Sequence, residues 1–117
     1  MQYLLLINED ESIYEGEAGA RIMQEVLGKH MAFAEALVKD GVAFSGNRLQ
    51  PGATATTIKW DHGAHSLHDG PFSETHEELG GYYLIDVPDL DRALHYARMI
   101  PIPGKGAVEI RPVWEMG

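Results

Sequence analysis

Two short runs constrain this chain more than anything else in it. "YLLLI" (residues 3–7) and "GYYLIDV" (81–87) are apolar at odd and even positions alike. A strand with one face in water alternates apolar and polar residues, because successive side chains point to opposite faces. In the first run Tyr3, Leu5 and Ile7 share one face and Leu4 and Leu6 the other. In the second, Tyr83, Ile85 and Val87 stand against Tyr82 and Leu84. Both strands are therefore expected in the middle of a sheet that is covered on both sides.

The rest of the chain supplies their neighbours. "NEDESIYEGEAG" reads as an acidic loop. Over 18–40 apolar residues recur at three- and four-residue spacing: Ile22, Met23, Val26, Leu27, Met31, Ala34, Leu37 and Val38. That period predicts a helix, ended by Gly41 with Lys39 in its last turn. "VAFSGNRL" (42–49) is a strand. "ATATTIKW" (53–60) and "HSLHD" (65–69), joined by the turn residues "DHGA", form a hairpin. Thr75 and Glu78 have capping-box spacing and predict a short helical turn before the second central strand. A second helix over 88–100 has Asp89 as N-cap and Leu90, Ala93, Leu94 and Ala97 as its apolar stripe. "AVEIRPVWE" (107–115) closes the chain, with Val108 and Ile110 inward, Glu109 and Arg111 outward, and Pro112 marking an edge or bulge.

This order is the ferredoxin-like α+β plan, βαββαβ with an inserted hairpin, in one domain spanning 1–117. Its first and third core strands lie mid-sheet, and those are the two doubly apolar runs. The helices cover only one face of such a sheet. A second copy is the simplest cover for the other, so a face-to-face homodimer is expected.

Composition narrows the function. Among 117 residues, 18 acids against 9 Lys and Arg leave a formal charge of −9. The basic residues are scattered singly, so phosphate backbones and anionic membranes are poor partners. A small molecule or another protein is expected. There is no cysteine, which excludes disulfides, thiolate chemistry and sulfur-bound zinc. No basic, apolar leader opens the chain, and a soluble cytoplasmic protein is expected. The chain contains no GxGxxG, no phosphate-cradling GxxxxGK[ST] and no GxSxG elbow, so no cofactor is expected. His62, His65 and His68 are three apart; in a strand that spacing alternates faces, so they do not converge on a metal.

The remaining chemistry gathers on few residues. His30 lies about 80° round the helix from Ile22 at about 100° per residue, within the apolar stripe. It is either a core histidine with one satisfied hydrogen bond or the floor of a pocket between helix and sheet, where partial burial tunes an imidazole for proton transfer. Asp69, before Gly70-Pro71, either caps a turn or pairs with an imidazole and fixes its tautomer. On the sharper reading His30 is the base and Asp69 its partner. Backbone N–H groups near Gly70 to Phe72 then steady an oxyanion, Phe72 and Tyr83 supply apolar walls, Glu74 faces the pocket, and Arg48 and Arg111 are candidates for a substrate anion. His76 and His95 are read as surface residues.

"HDGPFSETHEELGGYYLIDVPDLDRAL" followed by "VEIRPV", with "QYLLLI" and "NRLQPGATATTI" earlier, resembles the DGPF branch of the YCII-related family over nearly the whole chain. That resemblance implies a ferredoxin-like fold pairing as a dimeric α+β barrel. It also implies a His-Asp pair, here His30 in "KHMAFAEAL" and Asp69, in a pocket for small aromatic or lactone-like compounds. The expected activity is a cofactor-independent lyase, isomerase or dehydrohalogenase acting by proton transfer. The alternative is a non-catalytic ligand-binding or regulatory module, since the branch is associated with genes for alternative sigma factors. "PIPGKGAVEIRPV" departs from the family in being richer in proline before the last strand.

Overall fold

The computed structural model describes residues 1–72 and 76–115. The elements follow in the order β1 (Gln2–Asp10), α1 (Gly16–Lys39), β2 (Phe44–Arg48), β3 (Thr56–Asp61), β4 (Ala64–Asp69), β5 (Glu77–Asp86), α2 (Leu90–Ala97) and β6 (Gly106–Pro112). Single 3-10 turns lie at Glu11–Tyr14 and Gly52–Thr54. Four strands make an antiparallel sheet in the order β2-β5-β1-β6, and β3 and β4 form a separate two-stranded sheet. This is the ferredoxin-like α+β arrangement with an inserted hairpin, and the two doubly apolar runs occupy its centre.

Both helices pack on one face. Tyr3, Leu5 and Ile7 of β1 and Ile85 of β5 meet Phe33 and Leu37 of α1 and Ala93, Tyr96 and Ala97 of α2. Leu5, Leu37 and Ile85 are fully enclosed, each contributing roughly 1.5–3 kcal/mol through burial. Val108 and Ile110 of β6 pack against the same cluster, as the alternation requires. Asp89 caps α2, accepting the Arg92 N–H at 2.9 Å. The Tyr96 hydroxyl donates to Asp40 at 2.6 Å and ties α2 to the end of α1.

On the opposite face Leu4, Leu6, Tyr82 and Leu84 are only half-buried. The molecule is a slab of 47 × 45 × 18 Å, one sheet and one helix layer deep. The hairpin projects from it: every residue of β4 is exposed, and so are Ile58 and Trp60 of β3. The turn of this hairpin places both His62 (φ 50°) and Gly63 (φ 90°) at positive φ, the two-residue geometry that matches strand twist.

Several boundaries differ from the sequence expectation, for identifiable reasons. β1 continues through Asn8, Glu9 and Asp10, because both neighbouring strands still offer it hydrogen bonds there. Ala53 and Thr54 form a 3-10 turn, not strand. Glu77 and Glu78 belong to β5 and pair with Asp10 and Glu9, so the expected helical turn does not include them; Thr75 lies outside the described residues. Ladder pairing overrides local capping propensity at that point. Met31 and Val38 are exposed while Phe33 is buried, because the apolar stripe of α1 is wider than the sheet beneath it.

Candidate active site

The buried, helix-facing row of β1 reads Tyr3, Leu5, Ile7, Glu9. Its last member is a carboxylate only 4% exposed. A carboxyl group so enclosed needs a hydrogen-bond partner, and Tyr14 provides one, its hydroxyl donating to Glu9 Oε2 at 2.6 Å. Tyr14 sits in the 3-10 turn, whose end packs against the start of α1. Burial, helped by the hydrogen bond to Glu9 and the nearby negative charge, pushes the Tyr14 phenol up to about 12, so it stays protonated and donating. The Arg48 guanidinium stands 5.1 Å from the centre of the Tyr14 ring, within cation–π range.

Opposite this group, α1 presents His30. Its Nδ1 is 2.8 Å from the Tyr83 hydroxyl, and the two rings are stacked, with centres 5.8 Å apart and planes inclined by 29°. Tyr83 is held from behind by Phe33, with ring centres 4.7 Å apart. Burial, and secondarily the charge of Arg48, lowers the His30 pKa below its ordinary value. The imidazole is therefore neutral at neutral pH. Burial raises the Tyr83 pKa, so that phenol also keeps its proton.

Between these groups lies a cleft of about 130 Å³, lined by Ile7, Glu9, Leu27, His30, Arg48 and Tyr83 together with the backbone of Gly46, Gly80 and Gly81. Small residues make it possible. Gly46 lies beneath the Tyr83 ring, and a Cβ there would fall 2.6 Å from Tyr83 Cδ1. Opposite Ile7 and Asn8 the register slips past Gly80, a bulge that bends β5 at the rim. A second hollow on the far side of Glu9 and Arg48 is lined by Glu11, Tyr14, Met23, Leu49 and Pro51. There both Glu11 carboxylate oxygens accept the Gly52 N–H at 3.1 Å.

Three sequence-predicted residues thus come together: His30, Arg48 and Tyr83. Asp69 does not join them. It ends β4, exposed, opposite Thr56 in the separate sheet. The Gly70 N–H donates to the Ala55 carbonyl at 2.7 Å and the Thr57 hydroxyl donates to the Gly70 carbonyl at 2.7 Å, fastening the turn to the base of the hairpin. Phe72 is 77% exposed and borders a different groove, of about 790 Å³, with Pro51, Pro71, Leu49, Leu79 and Glu78. Glu74 lies outside the described residues. Arg111 is exposed on β6 beside Glu109, 3.7 Å away. His76 and His95 are exposed, as expected.

Glu9 and Tyr14 were missed by the sequence reading, which ended the strand at Ile7. The signal was the odd-numbered parity of β1, which continues through the polar letters to Glu9.

A ferredoxin-like α+β domain whose helix–sheet seam holds a neutral histidine, an arginine and a buried carboxylate has the makings of a small-molecule site. Comparison with known proteins places the chain in a family: the YCII-related domain matches residues 1–117, and the protein belongs to the YCII-related family. An uncharacterized protein of Rhizobium meliloti (strain 1021) is similar to it, 36% identical over 118 residues that cover 97% of this chain and 92% of that one. No helix among the described residues is long and apolar enough to cross a membrane.

Proposed function

We propose that the protein is a cofactor-independent acid–base enzyme acting on a small, enolisable, anionic molecule, with His30 as the base. The observation that carries this reading is a neutral imidazole held on Tyr83 inside a cleft that Arg48 also lines. With Nδ1–H donating to the Tyr83 oxygen, Nε2 keeps a free lone pair. It takes a proton from a carbon next to a carbonyl or carboxylate. The electron pair moves onto the oxygen, where the Arg48 guanidinium stabilises the charge. The proton then returns to a neighbouring carbon in an isomerisation. In an elimination, a β-substituent such as halide instead leaves with the electron pair. Tyr83 is a positioning residue in this scheme, and its ring with Leu27 and Ile7 gives an aromatic substrate apolar walls.

The expected partnership of His30 with Asp69 takes a different form here: within one chain Tyr83 orients the imidazole, and Asp69 stays with the hairpin. We assign the chain to the DGPF branch on its "HDGPF" turn and place it in the cytoplasm. The half-buried Leu4, Leu6, Tyr82 and Leu84 support a homodimer through the open sheet face.

One observation favours a second reading, a non-catalytic binding or regulatory module. Phe72 and Pro71 line a larger groove that is separate from His30. The test is turnover of enolisable acids and lactones by the wild type and by His30→Ala. Loss of turnover in a folded His30→Ala protein supports the enzyme. Undiminished turnover refutes His30 as base, and binding without turnover in the wild type supports the module.

A further inference from the structure

Glu9 and Arg48 are opposite charges lining the same cleft, yet they are not paired with each other. Among the described residues, none of the ion pairs involves either one. Arg48 rests on the Tyr14 ring instead. The single side-chain hydrogen bond to the Glu9 carboxylate comes from Tyr14 and occupies Oε2. Oε1 has no partner among the described residues, although the residue is only 4% exposed. It is nevertheless not sealed away from space, since among the described residues no fully enclosed polar side-chain atom lacks a partner. Glu9 borders both the cleft and the second hollow; Tyr14, which holds Oε2, lines only the second, and the cleft is the space on the other side.

An enclosed carboxyl group with one oxygen unpaired is costly unless something brings it a hydrogen-bond partner. A ligand that displaces solvent from a carboxylate without replacing the hydrogen bond loses affinity.

We propose that Glu9 is a ligand-facing group, and that it selects small carboxylic acids carrying a hydroxyl or ammonium donor. The acid end of such a ligand lies on Arg48. The donor lies on Glu9 Oε1, and the carbon between them faces His30. Tyr14 is the positioning residue that fixes the carboxylate. The two charges set polarity as well as affinity: a ligand entering the other way round sets its carboxylate against Glu9, and an amino acid also its ammonium against Arg48. This inference rests on the cleft being the ligand site but not on its being catalytic.

The test uses three matched probes, phenylacetate, mandelate and phenylglycine, which share a ring and a carboxylate. The first lacks a donor, the second adds a hydroxyl and the third an ammonium. Isothermal titration of the wild-type protein should show mandelate or phenylglycine bound about tenfold or more tighter than phenylacetate, the size expected of a hydrogen bond to a buried charge. In Glu9→Gln the advantage of phenylglycine over phenylacetate should vanish. Tyr14→Phe keeps the carboxylate but frees its orientation, and should shrink the preference without abolishing it. Equal binding of all three probes, indifferent to Glu9→Gln, overturns the role of Glu9 and leaves the cleft reading standing. Failure of every probe to bind the wild type overturns both. Should Glu9→Gln not fold, the ranking of the three probes on the wild type decides alone, because a preference for phenylacetate contradicts a ligand-facing carboxylate.

Discussion

Replacing Gly46 by alanine would test how the fold builds the cleft. The added Cβ would lie 2.6 Å from Cδ1 of the Tyr83 ring and 2.7 Å from the Tyr82 carbonyl oxygen. The ring can swing, but the carbonyl belongs to the strand paired with Gly46, and moving it strains the β2–β5 ladder. Overpacking of this kind costs about 1–3 kcal/mol. Displacing the Tyr83 ring also breaks its 2.8 Å contact with His30, worth about another 1 kcal/mol. For a chain of this size each kcal/mol lowers the melting temperature by roughly 4 °C, so a fall of about 8–16 °C is expected. It should be measured by calorimetry at fixed protein concentration, since association would otherwise shift the midpoint. NMR titration of the His30 ring in the same variant should show its pKa rising toward the ordinary value as water reaches the imidazole. A melting temperature within a couple of degrees of wild type, with the His30 titration unmoved, would refute the claim that Gly46 makes room for Tyr83.

Gly28 offers the opposite sign: it lies inside α1 and an added Cβ meets nothing within 4 Å, so Gly28→Ala should stabilise the protein by up to about 1 kcal/mol, read as a small rise in denaturation midpoint. For His30 the folded pKa lies below the unfolded one, so the unfolded chain binds more protons between the two values and stability must rise with pH across that window. The stabilisation is complete above the unfolded pKa of about 6.5 and is lost as pH falls through the folded value. His30→Gln should flatten this limb of the urea-denaturation profile, and an unchanged slope would show that His30 is not the group responsible.

The central strands were legible because a solvent boundary leaves its mark on every second residue. Where both parities of 3–7 and 81–87 are apolar, no half-exposed strand satisfies them, and the ferredoxin-like order follows from the elements between. The Asp89 cap, the inward pair Val108 and Ile110 and the turn at His62–Gly63 were equally readable, being local or periodic. The site was readable only in part. His30 stood out because a polar residue inside an apolar stripe is conspicuous, and Arg48 and Tyr83, also named from the sequence, line the same cleft. Glu9 and Tyr14 were lost in an acidic run, since a buried carboxylate and a solvated one have the same letter.

What the sequence determined by itself, then, is the set of apolar faces that the core strands and helices turn towards one another. Tertiary structure decided which polar groups meet across those faces. Asp69 looked like the partner of His30, yet hairpin register and two backbone-anchored hydrogen bonds hold it in another sheet, while the β1–β5 register and the small residue at 46 bring Tyr83 beneath the imidazole. The physical reason is one of range. Burial patterns repeat every two or three to four residues and are written into the chain itself. A hydrogen bond between residues 53 positions apart depends on strand register and backbone approach, which exist only once the sheet has formed.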